Sequence, residues 1–590
     1  IVIAGTMIFG QNDVDGVSTA TLTAGAGDTG AAGGSILDLN DTAENLIGLA
    51  TISNLIASAT GNTGVGGLAI RLDTRITNVT GADVTPGVGG IRIEDTQFGL
   101  IVADALGGVT TVLGDITFSA IGGDLAIAGA GITASTTIGG IGNIVLNTRT
   151  GTGASGPATS GNITLGVVGA TTLTALGDLV ELNSVGNVTD AQADGSGAVG
   201  VTNNITAANL LVRAVLGFGI NAAGAIDRIE TTVTTVAGTF DQGGWFQTDL
   251  GGGLVIGTVT SVDRSVVAGV QETNLTNDGL ASADITIQAL SPIFVLADVL
   301  AVGDILLIAD EVIGAGDNLT VTSPEDLNFN GVLDPGEDAN GNGVLDTVTV
   351  RSTLGDIEFQ AGDNLTTGTG AVVSAFDDLT IRAGFDTDEG DLDGIGAATL
   401  LGTHTSQIGT TTVTAPGNIT LGLFIAADGL ILFTEFGNIL DGNGPALNVQ
   451  ANGSSTFTAV RGVIGLDTDA LEVEIQNGQL VANAGASSDR VSVSINGDIE
   501  PDGRFFSSVA APGLELFNNT LLGGDGVDEV TDRFFKYTAD RDMMQGGERD
   551  HGKPGSVTFL MLYIGDDVVN PEALYQWDAS LDEGLIGNGQ

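Results

Sequence analysis

One unit recurs along most of the 590 residues: Gly, then Asp or Asn, then Ile, Leu or Val, then a small or polar residue, then an apolar one. It reads Gly114-Asp-Ile-Thr-Phe118, Gly123-Asp-Leu-Ala-Ile127, Gly142-Asn-Ile-Val-Leu146 and Gly161-Asn-Ile-Thr-Leu165, and returns at Gly303, Gly355, Gly417, Gly437 and Gly497. Each copy reads as a turn followed by a short strand. Gly is expected to supply a positive φ, Asp or Asn to cap the turn, and the apolar residues then alternate with period two. Gly123, Gly142 and Gly161 follow one another at 19 residues, and Gly437 follows Gly417 at 20. Units of that length are too short for a helical crossover between parallel strands. They predict an all-β chain, a parallel β-helix (β-solenoid) with one repeat per coil and two or three strands in each coil.

The Gly-Asp/Asn-Ile/Leu units and their spacing resemble the β-helical repeats of filamentous-haemagglutinin-like surface proteins. The resemblance covers roughly residues 100–500 and implies a secreted, surface-exposed solenoid. The expected organisation is an N-terminal β region over 1–100 continuous with the solenoid, a solenoid body over 101–501, and a distinct capping or docking module over 502–590. Within the body the repeat thins over about 190–300, where Trp245 sits in a Gly-rich break, so an inserted loop or second sheet is expected there. All three Tyr, both Lys and three of the four Met fall in the last ninety residues, which marks that segment as compositionally different.

Charge narrows the partners. Lys and Arg total 17 against 72 Asp and Glu, a formal net charge of −55. So acidic a chain cannot neutralise phosphates, which argues against nucleic acid and against an anionic membrane surface. No apolar run reaches the ~18 residues of a membrane span. The absence of Cys removes disulfides, thiolate metal sites and thiol nucleophiles. The first residue is Ile1 rather than Met, which reads as a processed or truncated end.

One segment carries sharp chemistry. From Asp326, oxygen-bearing side chains fall at loop positions 1, 3, 5 and 9 (Asp326, Asn328, Asn330, Asp334), with Gly331 at 6, the Val332 carbonyl at 7 and Glu337 at 12. That is the spacing of an EF-hand-type calcium loop: alternate residues turn oxygens inward and the last Glu can bind through both oxygens. A second copy starts at Asp338 and continues with Asn340, Asn342, Gly343, the Val344 carbonyl and Asp346, but Thr349 replaces the final Glu. The second site is therefore expected to be weaker, or to share Glu337 or Asp338. With strand-like flanks, the pair resembles the helix-free calcium loops of dockerin and thrombospondin type 3 modules, and implies Ca2+ as cofactor. Asp386, Asp388, Asp391 and Asp393 form a weaker acidic candidate, and Gly523-Gly-Asp-Gly-Val-Asp528 matches a single calcium-type nonapeptide.

Catalytic patterns are missing. The two His, His404 and His551, stand in separate regions and read as surface residues, and neither a Gly-x-Ser-x-Gly elbow nor a His-Glu-x-x-His motif occurs. The sequence thus predicts a non-enzymatic extracellular structural protein, a homo-oligomeric subunit of a surface fibre, sheath or array. Assembly contacts are expected at Ile1, Val2 and Ile3 and at Phe534, Phe535, Tyr537 and Trp577. Two other readings stand beside it: an adhesin stalk that binds a glycan or other surface ligand through a terminal module, and a β-helical polysaccharide lyase or hydrolase. Few aromatic sugar platforms exist for the enzyme, since Trp245 is the only Trp of the body.

Overall fold

The computed structural model describes residues 2–3, 6–9, 17–24, 36–38, 46–48, 52–59, 72–84, 90–96, 99–102, 108–111, 114–128, 131–134, 142–149, 152–153, 156–157, 161–166, 173–191, 203–220, 225–262, 276–290, 292–310, 316–326, 332–338, 341–385, 396–466, 469, 471–475, 480–484, 490–495 and 513–518. The expected assembly residues Ile1, Phe534, Phe535, Tyr537 and Trp577, and His551, lie outside them. The described residues are all-β, and the chain forms a parallel β-helix in two compact units, Ile1–Ser291 with Leu296–Ala301, and Pro292–Val295 with Val302–Gln590.

In the first unit, strands stack in register coil upon coil. Ile91–Asp95 pairs with Ile116–Ile121, which pairs with Ile144–Arg149, which pairs with Leu173–Ser184 and so on to Ile205–Ala214 and Ile229–Phe240, always parallel. Register places Ile91, Ile116, Ile144, Val180, Leu210 and Val236 in one inward column, each fully buried. Burial of each such side chain contributes about 1.5–3 kcal/mol, so the alternating pattern drives the stack. Near the N-terminus, Val17–Ala24 pairs with Ile52–Ala59 and that strand with Asn78–Val84, again parallel.

The parallel ladder also runs through much of the 190–300 region. Trp245–Asp249 pairs in parallel with Ile285–Ala289. Trp245 is not in a break: it is fully buried against Phe218 and Phe240, with ring centroids at 4.9 and 5.4 Å. Its indole N–H donates to Gln247 Oε1 at 2.9 Å. Gly238 makes the room, because a Cβ there would stand 2.4 Å from the Trp245 ring. An antiparallel pair, Thr258–Thr260 with Thr276–Asp278, stands outside the parallel ladder. Val259 and Val262 pack on Leu179, Leu211 and Ala237. Glu181 fixes the far side of this cover: its carboxylate accepts from Arg213, Ser261 Oγ and the Val262 N–H at 2.7–2.9 Å.

In the second unit Ile305–Ala309, Ile357–Ala361, Leu379–Ala383, Thr411–Ala415, Leu430–Thr434 and Ser455–Ala459 form one parallel column. Leu307, Phe359, Ile381, Val413, Leu432 and Phe457 fill its interior, all fully buried.

The recurring Asp or Asn has a physical role at the corners. Its side-chain oxygen accepts the backbone N–H of the matching residue in the next coil. Asp124 accepts from Asn162 and Asn162 from Asn187, at 2.7 and 2.8 Å. Asn418 accepts from Asn438 and Asn438 from Val463, at 2.8 and 2.9 Å. Asn318, Asn364 and Ala397 repeat this, as do Asp115, Asn143 and Leu179. Only a short side chain with an oxygen one carbon beyond Cβ reaches that amide, and each rung contributes about 0.5–1.5 kcal/mol.

Two expectations are corrected. Copies 19 residues apart are not successive coils: Asp115 bonds to Asn143, 28 residues on, while Asp124 bonds to Asn162, 38 on, so the copies alternate between corners. The rung spacing varies from 20 residues between Asn418 and Asn438 to 52 between Asp304 and Asp356, because loops of any length can leave at a corner while the ladder continues. Nor is positive φ the general reason for the motif Gly. Gly161 has φ 104°, but Gly355, Gly417 and Gly437 lie outside that region. They are required by close stacking: a Cβ on Gly437 would stand 2.1 Å from the Gly417 carbonyl carbon.

Candidate metal centre

The 326–346 segment leaves and rejoins the second unit between the strands Leu319–Val321 and Val348–Ser352. Asp326 lies buried at its start, 1% exposed, with its N–H donating to the Ser323 carbonyl and Oδ2 accepting from Thr322 Oγ1 at 3.3 Å. Asn328, Asn330 and Asn340 lie outside the described residues. Asp334 and Glu337 close a turn on each other: the Asp334 N–H donates to Glu337 Oε2 at 2.9 Å, and the Glu337 N–H to the Asp334 carbonyl at 3.1 Å.

The second loop curls around Asp338. Its carboxylate accepts the N–H groups of Gly341, Asn342 and Gly343 at 2.6, 3.1 and 2.9 Å. Gly341 and Gly343 take φ of 75° and 71°, which an L side chain rarely adopts, so here the glycines serve conformation. Asn342 donates to Asp346 Oδ1 at 3.0 Å and accepts the Val344 N–H at 2.7 Å. The Asp346 N–H in turn donates to Glu325 Oε2 at 3.2 Å. Loop positions 1, 5 and 9 are thus held by a closed set of bonds, and a buried acid outside the motif, Glu325, reaches the end of the loop. Val332 and Val344, whose carbonyls occupy position 7, expose their side chains.

Among the described residues, no three of the loop carboxylates bring ligand oxygens within 4.8 Å of one another. Among the described residues, the only three acidic or histidine groups with ligand atoms within 4.8 Å of one another are Asp356, Asp377 and Asp378, all exposed. They crown a corner ladder in which Asp304 accepts from the Asp356 N–H, Asp356 from Asp378 and Asp378 from Thr410, at 3.0, 2.9 and 2.8 Å. Partial desolvation at this exposed corner pushes the Asp356 carboxyl up, and the charges of Asp304, Asp378 and Asp377 push the same way against the Asp378 amide. A cation would relieve that repulsion. Sequence spacing hid this group because its members come from different coils. The weaker acidic candidate, Asp386, Asp388, Asp391 and Asp393, lies outside the described residues.

A second acidic grouping also escaped the sequence. Glu472 is pushed up to about 7, first by burial and then by Asp441 and Asp469. Asn448, fully buried, steadies Asp441 through a 2.7 Å bond to Oδ1.

His404 corrects a further expectation, since it is not a surface residue but is wholly buried. Strand alternation turns it inward between Thr403 and Thr405, onto Phe424. Its Nε2 lies 3.0 Å from the Thr367 hydroxyl, and its Nδ1 has no described hydrogen-bond partner.

Comparison with models of protein families, with curated proteins and with solved structures finds no match. No helix among the described residues is long and apolar enough to cross a membrane.

Proposed function

We propose that the chain is an extracellular structural protein, a calcium-stabilised β-solenoid subunit of a surface fibre, sheath or array. The observation that carries this reading is the use made of the acidic and amide side chains. At the corners Asp and Asn oxygens bind backbone amides of the next coil, which is architectural work. Calcium would lie in the loops from Asp326 and Asp338, held by Asp326, Asn328, Asn330, the Val332 carbonyl, Asp334 and Glu337, and by Asp338, Asn340, Asn342, the Val344 carbonyl and Asp346. Oxygen donors at this spacing suit a hard cation. A net charge of −55 keeps isolated chains apart, and divalent cations bridging neighbours would switch that repulsion to cohesion. The same reading places the protein outside the cell, makes copies of itself its partners and assigns it no catalysis.

Electron microscopy of the chain with millimolar calcium and after chelation tests the proposal. Regular filaments or sheets that loosen on chelation are expected. Separate particles under both conditions would contradict it.

A further inference from the structure

We propose that the coil carrying His404 is an acid-sensitive joint of the second unit: protonation of the His404 imidazole opens the ladder locally at Ala371–Ala375, Ala398–Ser406 and Ile419–Ala426. The ring is fully buried and stacks on Phe424, with centroids 4.4 Å apart and planes 11° apart. Nε2 lies 3.0 Å from Thr367 Oγ1, and Nδ1 has no hydrogen bond of ordinary geometry.

None of the packed strands brings a charge to the ring. Leu365–Thr367 contributes Thr367, Ala371–Ala375 contributes Val373 at the matching register position, and Ile419–Ala426 contributes Phe424. Arg382 on Leu379–Ala383 is engaged with Glu358 and Phe385, and Thr411–Ala415 carries no charged residue. An imidazolium here would be an unpaired buried cation, which a protein interior does not tolerate. Burial accordingly drives the imidazole down to about 3, with the carbonyls of Leu423 and Gly402 pulling the other way. The closed coil therefore refuses a proton that the opened coil accepts near the ordinary value of about 6.5, so falling pH favours the open form by up to ~10-fold per pH unit. Backbone ladders open locally in this manner without global unfolding.

Hydrogen exchange with mass-spectrometric readout on the full chain tests this at pH 7.5, 6.0 and 5.0, with each protection factor corrected for the intrinsic rate at that pH. Between pH 7.5 and 5.0, protection over 398–426 is expected to fall about 30-fold relative to 305–309 and 357–361. His404→Phe, and His404→Gln as a second variant, should abolish that relative fall. Constant relative protection in the unmodified chain overturns the proposal whether or not a variant folds, and so does an equal fall in either folded variant.

Discussion

The two units bury ionisable groups in different ways. The first places them along the ladder with named partners. Asp95 accepts from Thr74 Oγ1 and the Ile76 N–H, at 2.9 and 2.8 Å. Asp249 repeats that arrangement with Thr231 Oγ1 and the Val233 N–H, at 2.7 and 3.1 Å. Gln247 links this corner to Trp245, so an indole, an amide, a hydroxyl and a carboxyl form one buried chain. The second unit gathers buried acids into residues 310–326, where Asp310, Asp317, Glu325 and Asp326 lead into the loops, and sets a histidine in its apolar interior. A parallel ladder thus accepts a buried acid or base where an inward position ends near a corner or meets an aromatic face, and the sign of the pH response follows which one it takes.

The largest predicted effect concerns the first unit's aromatic centre. Trp245→Ala should cost about 3–5 kcal/mol in urea unfolding followed by circular dichroism, because Gly238 leaves nothing to refill the space. A cost below ~1 kcal/mol would show that the first unit's core is looser than its packing implies.

Next comes pH. Burial raises Asp249 from 3.8 to about 6, with Thr231 and the Val233 and Gly251 amides opposing. The folded unit keeps a proton that the unfolded chain has released. Its contribution is complete below pH 3.8 and is lost as pH rises through about 6, a total of about 3 kcal/mol. His404 acts the other way: lowered from 6.5 to about 3, its contribution is complete above pH 6.5 and is lost as pH falls. Asp249→Asn should flatten the stability profile between pH 4 and 6. An unchanged slope in denaturant melts over that range would erase the contrast between the units.

Smaller effects sharpen the contrast between corners and open loops. Gly437→Ala should destabilise by about 1–3 kcal/mol, since the new Cβ meets backbone at 2.1 Å, whereas Gly252→Ala meets nothing within 4 Å and should be near neutral. Thermal melts of the pair decide it, and equal shifts would refute the stacking role. Last, Asn438→Ala should cost about 1 kcal/mol by removing the acceptor for the Val463 N–H, with Asn438→Asp close to neutral.

Much of the fold was legible in the repeat, because turn and strand chemistry are local. The coil length was not. A motif copy such as Gly142-Asn143 does not announce whether it shares a corner with Gly123 or Gly114; the register, set by long-range pairing, joins it to Gly114. The reason for Gly437 was equally hidden, since a glycine needed for φ and one needed for clearance look alike in a sequence. Trp245 and His404 were misplaced because their burial depends on what other coils bring to them: Phe218, Phe240 and a gap at Gly238 for one, Phe424 and Thr367 for the other. The loops from Asp326 and Asp338 were read from spacing within one segment, while the Asp356, Asp377 and Asp378 group needed the stack to assemble it.

Calcium binding by the loops is tested by calorimetric titration of the full chain, beside Asp338→Ala and the pair Asp326→Ala with Glu337→Ala. Saturable binding is expected in the parent chain, with loss of the weaker event in Asp338→Ala and of the tighter one in the pair. A parent chain that takes up no calcium, or variants that bind it unchanged, would contradict it.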